Sequence, residues 1–302
     1  MGSSVNLGIA VVLTVLSLLA VALCFATDHW AMWMVQEEQM KNSADANIAQ
    51  EFNKKPEYHT RHWGMFRVCF PSNNTEFLNN YQVVDGNCIS MNYELPETAA
   101  SVSKSENYWT RIHLLRCQFA FLVVGMLMHV FAFTTGTWAC WKVSQGGSFI
   151  GGLCDLVGGL LVGGAMACFH GIDYLERNKI KDAGFCLTWP KALKDGSTFM
   201  LAWSYMLGWI ACGLGLLGAL FYLVESCHIS SKKKTARRRK ADVINRFLDY
   251  EDRRSQISTL PRSAITDNHH KKRNSPYEDN WENANRLVPV LVYDKNDPGT
   301  RY

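Results

Sequence analysis

The sequence predicts an all-α membrane protein of four transmembrane helices, with a small extracellular antiparallel β-sheet and a disordered cytoplasmic tail. Three observations predict it. Four apolar stretches, residues 7–26, 117–141, 149–169 and 199–224, each reach the length of about 20 residues at which a helix crosses a hydrocarbon core. A dense run of Lys and Arg follows the last of them. A pair of cysteines with strand and turn signals lies in the long polar segment between the first and second. Bulk numbers conceal this pattern. The 302 residues are 48% hydrophobic and 19% charged, and the mean hydropathy is −0.09, because the apolar residues are clustered rather than spread.

The first apolar run reads as a retained helix. The preceding MGSSVN has no Lys or Arg, and the run exceeds the ~7–15 residues of a signal-peptide core. SKKKTARRRK directly after the fourth run places the C-terminus in the cytoplasm, because basic residues near a span end stay inside. Four crossings then put the N-terminus inside too. Residues 27–113 and 170–198 are outside, and the short link around Lys142 is cytoplasmic. The domain reading is a tetraspan unit over 1–227 and a tail over 228–302. Asn73 opens the glycosylation sequon Asn73-Asn74-Thr75 in the first outer loop.

Within that loop, MFRVCF and YQVVDGNCIS alternate apolar and polar residues, and Asp85-Gly86 is a turn signal. A small antiparallel sheet is expected there. Residues 36–56 are polar and aperiodic, and read as a flexible insertion. Of the ten cysteines, Cys24, Cys117, Cys140, Cys154, Cys168 and Cys212 fall in or at the ends of the apolar runs, where a free Cys is a small apolar residue. Cys227 is a cytoplasmic palmitoylation candidate. Cys69 and Cys88 lie outside, where an oxidising compartment favours pairing, and make the natural disulfide; closing that loop constrains the unfolded chain by about 3 kcal/mol. Cys186 is left over, to pair with Cys168 or stay free. His59 and His62, three apart, are a candidate metal pair, but no third ligand is near. Read as exposed loop histidines they are polar surface.

The third run, GGSFIGGLCDLVGGLLVGGA, carries small residues at helical spacing: Gly147, Gly151, Gly159 and Gly163. Such a stripe admits another helix closely, within the bundle or from a partner. Asp155 lies on it. A carboxylate at that depth costs from about 2.5 kcal/mol upward, so it must face protein. His129 is a candidate to meet it, as is a Ser or Trp of the fourth helix. The pair reads as a polar lock fixing helix register, and secondarily as an ion or proton site.

The tail is highly charged, and disorder is expected over most of it. ARRRKADVINRFLDYED places Val243, Ile244, Phe247 and Leu248 at helical spacing. Lys232, Lys233, Lys234, Arg237, Arg238, Arg239 and Lys240 form a basic cluster that attracts anionic headgroups at about 1 kcal/mol per residue. Ser255 and Ser275 each follow basic residues and are phosphorylation candidates that would weaken that attraction. Thr300 and Tyr302 end the chain in the manner of a PDZ ligand.

The order of motifs carries a resemblance. The first helix ends ATDHWAMW with Trp30; Gly64-Met65-Phe66, Cys69 and Cys88 follow; a basic residue, Arg111 or Arg116, precedes the second helix; the fourth opens AWSYMLGW. This resembles the claudin superfamily, which groups claudins, peripheral myelin protein 22 relatives and calcium-channel gamma subunits. It looks most like the gamma-subunit and stargazin side. Gly64-Met65-Phe66 stands where the family has Gly-Leu-Trp. The resemblance covers the four helices and implies a left-handed bundle capped by an outer β-sheet, with Trp30, Gly64, Met65, Phe66, Cys69 and Cys88 as fold residues. It implies a plasma-membrane auxiliary subunit that joins a channel or receptor laterally; the alternative is a cell-junction or adhesion protein acting through like molecules at contacts. No H-E-x-x-H, G-x-S-x-G or P-loop pattern occurs, so no catalytic, cofactor or metal site and no nucleic-acid partner is expected.

Overall fold

Among the described residues, four helices in the computed structural model are long and apolar enough to cross a membrane. The structure describes residues 2–42, 46–71, 76–91, 104–182 and 184–258. The long helices are α1 (Gly2–Ala26), α4 (Glu106–Lys142), α5 (Gln145–Asn178) and α7 (Trp203–Ser258); the short α2 (Glu37–Lys41), α3 (Ala46–Glu51) and α6 (Lys191–Asp195) lie between them. By contact the chain divides into two units, Met1–Lys234 and Thr235–Tyr302.

The apolar runs mark only part of each helix. The 37 residues of α4 make a rod of about 55 Å, well beyond a ~30 Å hydrocarbon core. The long helices expose Leu16, Leu19 and Leu23 of α1, Phe131 of α4, Leu160 of α5 and Ile210 of α7, residues suited to lipid. Ser105 caps α4, accepting from the Tyr108 amide, and Ser144 caps α5, accepting from the Gly147 amide. Only Val143 and Ser144 separate α4 from α5, and Val143 makes the reversal at φ 47°.

The remaining ends of the bundle carry one six-stranded antiparallel sheet. Its strands are β1 (Ala31–Val35), β2 (Arg61–Trp63), β3 (Arg67–Cys69), β4 (Val83–Asp85), β5 (Cys88–Ser90) and β6 (Ser197–Leu201). The order is β4-β5-β3-β2-β1-β6. Asp85-Gly86 turns β4 into β5 as expected, with Gly86 at φ 51°. Cys69 and Cys88 are opposite each other in register and bonded, their Cα atoms 4.1 Å apart. β1 pairs with β6 over five residues, Ala31↔Leu201 to Val35↔Ser197, so the two loop segments share one sheet.

The structure departs from the sequence expectation in two places. Residues 199–201 belong to β6, not to the fourth membrane helix, which starts at Trp203. The apolar run continues unbroken from strand to helix, so hydropathy cannot mark the boundary. Residues 36–56 are no flexible insertion as far as they are described. α2 and α3 place Met40, Ile48 and Phe52 in a second core with Val35, Tyr58, Trp189 and Leu193. Helices of five and six residues are too short to show a period.

The stretch read as amphipathic in the tail is the C-terminal part of α7. From Ser230 to Ser258 the chain has no Gly or Pro, and Asp249 pairs with Arg253 four residues on at 2.7 Å.

Candidate functional site

The interior of the bundle holds a chain of polar side chains from α1, α4 and α5 that ends on a backbone carbonyl of α7. Asp155 of α5 and His129 of α4 are fully buried. His129 Nδ1 lies 2.7 Å from Asp155 Oδ1. Thr14 of α1 donates to Asp155 Oδ2 at 2.8 Å. Ser17, one helical turn further along α1, donates its only proton to the Ala211 carbonyl of α7 at 2.7 Å. Its oxygen, 3.3 Å from His129 Nε2, is therefore left to accept from that ring nitrogen. The buried carboxylate is thus met on one oxygen by an imidazole and on the other by a hydroxyl, the pairing that a polar group at this depth needs.

The glycines explain how four helices approach closely enough to build this cluster. A Cβ on Gly218 would meet Asp155 Oδ2 at 2.4 Å, and one on Gly215 would meet His129 Cε1 at 2.6 Å. On α5 the stripe splits between neighbours. Gly147, Gly151 and Gly158 press on Ala139, Thr135 and His129 of α4; Gly152, Gly159 and Gly163 press on Tyr222, Leu216 and Cys212 of α7. These contacts are all within the bundle.

At the sheet end, Trp30 is 1% exposed and donates from Nε1 to the Cys24 carbonyl at 2.9 Å, closing the C-terminus of α1. Gly64 meets the start of that connection so closely that a Cβ would lie 2.5 Å from the Asp28 Cα. Met65 is buried, while Phe66 is exposed and stacks edge-on against Phe25 at 5.0 Å. Arg111, expected ahead of the second helix, lies inside α4 because that helix begins well before the apolar run, and it bonds Glu176 of α5. Arg67, which the sequence did not single out, joins Asp28 to Asp85.

His59 and His62 do not come together. His59 is fully buried, contrary to its reading as surface, with Nε2 on the Phe52 carbonyl at 3.0 Å and its ring stacked on Phe77. Burial pushes its imidazole below the usual range, against the pull of the Glu37 carboxylate 3.7 Å away. His62 stacks on His29, with ring centroids 4.3 Å apart, and burial, then His29, pushes it down as well. Among the described residues no group of three or more His, Cys, Asp or Glu is arranged to hold a metal ion. Cys168 and Cys186 are both free.

The basic residues Lys232, Lys233, Lys234, Arg237, Arg238, Arg239 and Lys240 are exposed on α7, and so are Val243, Ile244, Phe247 and Leu248. Ser255 lies within α7. Asn73, Ser275, Thr300 and Tyr302 lie outside the described residues.

Thr14, Ser17, Gly215 and Gly218 of the interior cluster escaped the sequence reading, and so did a second buried acid elsewhere in the bundle, Glu225, which accepts from Asn6 at 3.3 Å. A signal for them exists. Thr14 and Ser17, like Gly215 and Gly218, are three apart in otherwise apolar helices, which puts each pair on one face. Glu225 follows immediately after the apolar run ending at 224.

A family model described as PMP-22/EMP/MP20/Claudin tight junction matches residues 15–224. No curated protein matches the chain.

Proposed function

Because the chain belongs to the PMP-22/EMP/MP20/claudin family, we propose that it is a non-enzymatic, multi-pass plasma-membrane protein that associates laterally with an ion channel or receptor and affects its trafficking or gating. In this reading it stands nearest to the gamma-subunit and stargazin side of the family. Both termini are cytoplasmic and the sheet end is outside, where an oxidising compartment suits the Cys69–Cys88 bridge. The membrane domain is 1–227 and the tail 228–302.

The observation that carries the proposal is α7. It runs to Ser258 with seven exposed basic residues between 232 and 240 and an exposed apolar stripe at Val243, Ile244, Phe247 and Leu248. A basic, partly apolar helix following a membrane span suits anionic lipid or a partner's cytoplasmic surface. Ser255 and Ser275 are then sites where phosphate would loosen that attachment, Thr300 and Tyr302 a PDZ ligand, and Asn73 a glycan site. The packed α2–α3 segment supports the same reading, being an elaboration beyond a compact junctional loop.

Cross-linking in native membranes followed by mass spectrometry tests the proposal. Recovery of a channel or receptor subunit cross-linked to this chain is expected. Enrichment at cell contacts, with cross-links only between copies of this chain, would replace it with the junction reading.

A further inference from the structure

Between the sheet and the segment joining α5 to α6 lies a cavity of about 160 Å³. Trp33, Trp63, Phe185 and Trp189 form aromatic walls, and the charged lining groups are Arg61, Arg111 and Glu176. The charges do not cancel. Arg111 donates from Nε to Glu176 and lies over the Phe185 ring, which makes a neutral pair. Arg61 has no such partner. Its Nη1 donates to the carbonyls of Pro56, Glu57 and His59, and its guanidinium lies 5.4 Å from the centroid of the Trp189 ring. Among the described residues it forms no ion pair, and its Nε and Nη2 make no hydrogen bond.

The Nε–H and the two Nη2–H protons of this half-buried guanidinium are open to a ligand rather than sealed from water, and its planar fork suits a carboxylate. Burial pushes Arg61 down to about 10, which leaves it charged at neutral pH. Glu57, the acid acting most strongly on Arg61, and Glu176 already offset part of the positive charge, which favours a monoanion over a dianion. The volume is close to that of a cavity of about 150 Å³ that holds benzene, and aromatic walls with a few convergent polar groups are the usual make-up of a small-ligand site.

We propose that this cavity binds a monocarboxylate on a small apolar body, with Arg61 gripping the carboxylate and Trp33, Trp63 and Trp189 enclosing the body. The carboxylate comes from a free acid or from a glutamate side chain presented by another protein. The proposal is independent of lateral association with a channel.

Cys186 also lines the cavity, and its thiol supplies the readout. Full-length protein in nanodiscs is treated with a neutral maleimide, and modification of the Cys186 peptide is followed by mass spectrometry. The probes are benzoate, its neutral isostere benzamide, and N-acetylglutamate α-methylamide as the side-chain mimic. Benzoate or the glutamate amide at about ten times its Kd is expected to slow modification about tenfold, benzamide to have no effect, and Arg61→Gln to lose the protection. Protection by benzoate alone assigns the site to a free acid, and by the glutamate amide alone to a partner's side chain. Protection by both supports the shared chemistry. Arg61→Gln also removes three carbonyl contacts and can fail to fold, so a second measurement uses the unaltered protein. There, an anionic methanethiosulfonate is expected to modify Cys186 faster than a cationic one of similar size. Equal protection by benzamide and benzoate, protection by neither acid, or a cationic reagent as fast as the anionic one would overturn the proposal.

Discussion

At the scale of single residues, two side chains and one buried pair carry testable consequences. His59 is buried and held below its usual pKa. The unfolded chain takes up a proton near the ordinary histidine value of about 6.5, whereas the folded chain resists until lower pH. The unfolded state thus binds more protons in that window, so stability falls as pH falls through it. His62 adds in the same direction. A melt between pH 7.5 and 5.5 is expected to show a falling Tm. His59→Gln, which keeps a donor for the Phe52 carbonyl but does not titrate, should flatten the profile; an unchanged slope would shift the cause to His62 or elsewhere. Val143 is a β-branched residue at φ 47° in an exposed turn, a conformation that costs about 1–2 kcal/mol for a residue with a Cβ. Val143→Gly is therefore expected to raise thermal stability, and a lower Tm would count against the strain. Asp155 and His129 answer for each other. His129→Leu leaves a buried carboxylate without its partner and should cost about 3–5 kcal/mol, while His129→Leu with Asp155→Leu should recover much of the loss. Fluorescence-detected size exclusion after heating separates the two.

At the scale of elements, the four helices work as a unit because glycines set their spacing. Gly218→Ala and Gly215→Ala would drive a methyl into Asp155 and His129, whereas Gly213 has nothing within 4 Å. The first two should lower the melting temperature sharply. Gly213→Ala should leave it level or raise it, by up to about 1 kcal/mol of helix propensity; equal effects at all three positions would refute the packing. The helices themselves were legible in the sequence, because an apolar run of about 20 residues has the length of a membrane-crossing helix and exceeds that of a buried strand. So were the Asp85-Gly86 turn and the facing cysteines. β1, β6, α2 and α3 were not. β1 and β6 are adjacent only because the bundle brings residues 31–35 and 197–201 together, and such distant pairing leaves no local pattern. α2 and α3 are fixed by Met40, Ile48 and Phe52 reaching Trp189 and Leu193, again a long-range cause. In the interior cluster, Asp155 stood out by its cost and His129 as its candidate partner. The hydroxyls of Thr14 and Ser17 did not, since Thr and Ser raise no alarm in an apolar helix.

At the scale of the molecule, membrane domain and sheet are joined by a few strong ties. Trp30 closes α1, Gly64 admits the β2–β3 turn against Asp28, and Cys69–Cys88 holds the far strands. Cys69→Ser should reduce surface delivery several-fold and lower Tm by the equivalent of about 2–5 kcal/mol, read by surface biotinylation and a detergent melt. Normal delivery with a normal melt would show the bridge to be dispensable.

The β1–β6 ladder also has a practical meaning for anyone building chimeras from this chain. Residues 27–113 and 170–198 are far apart in sequence, yet the first contributes β1 and the second leads into β6 through Ser197 and Thr198. Transplanting either segment alone onto a relative would present one half of a ladder to a foreign edge. The natural exchangeable cassette is both segments together, carried through Leu201, so a null result from a single-segment swap would report a broken sheet and not a missing recognition surface.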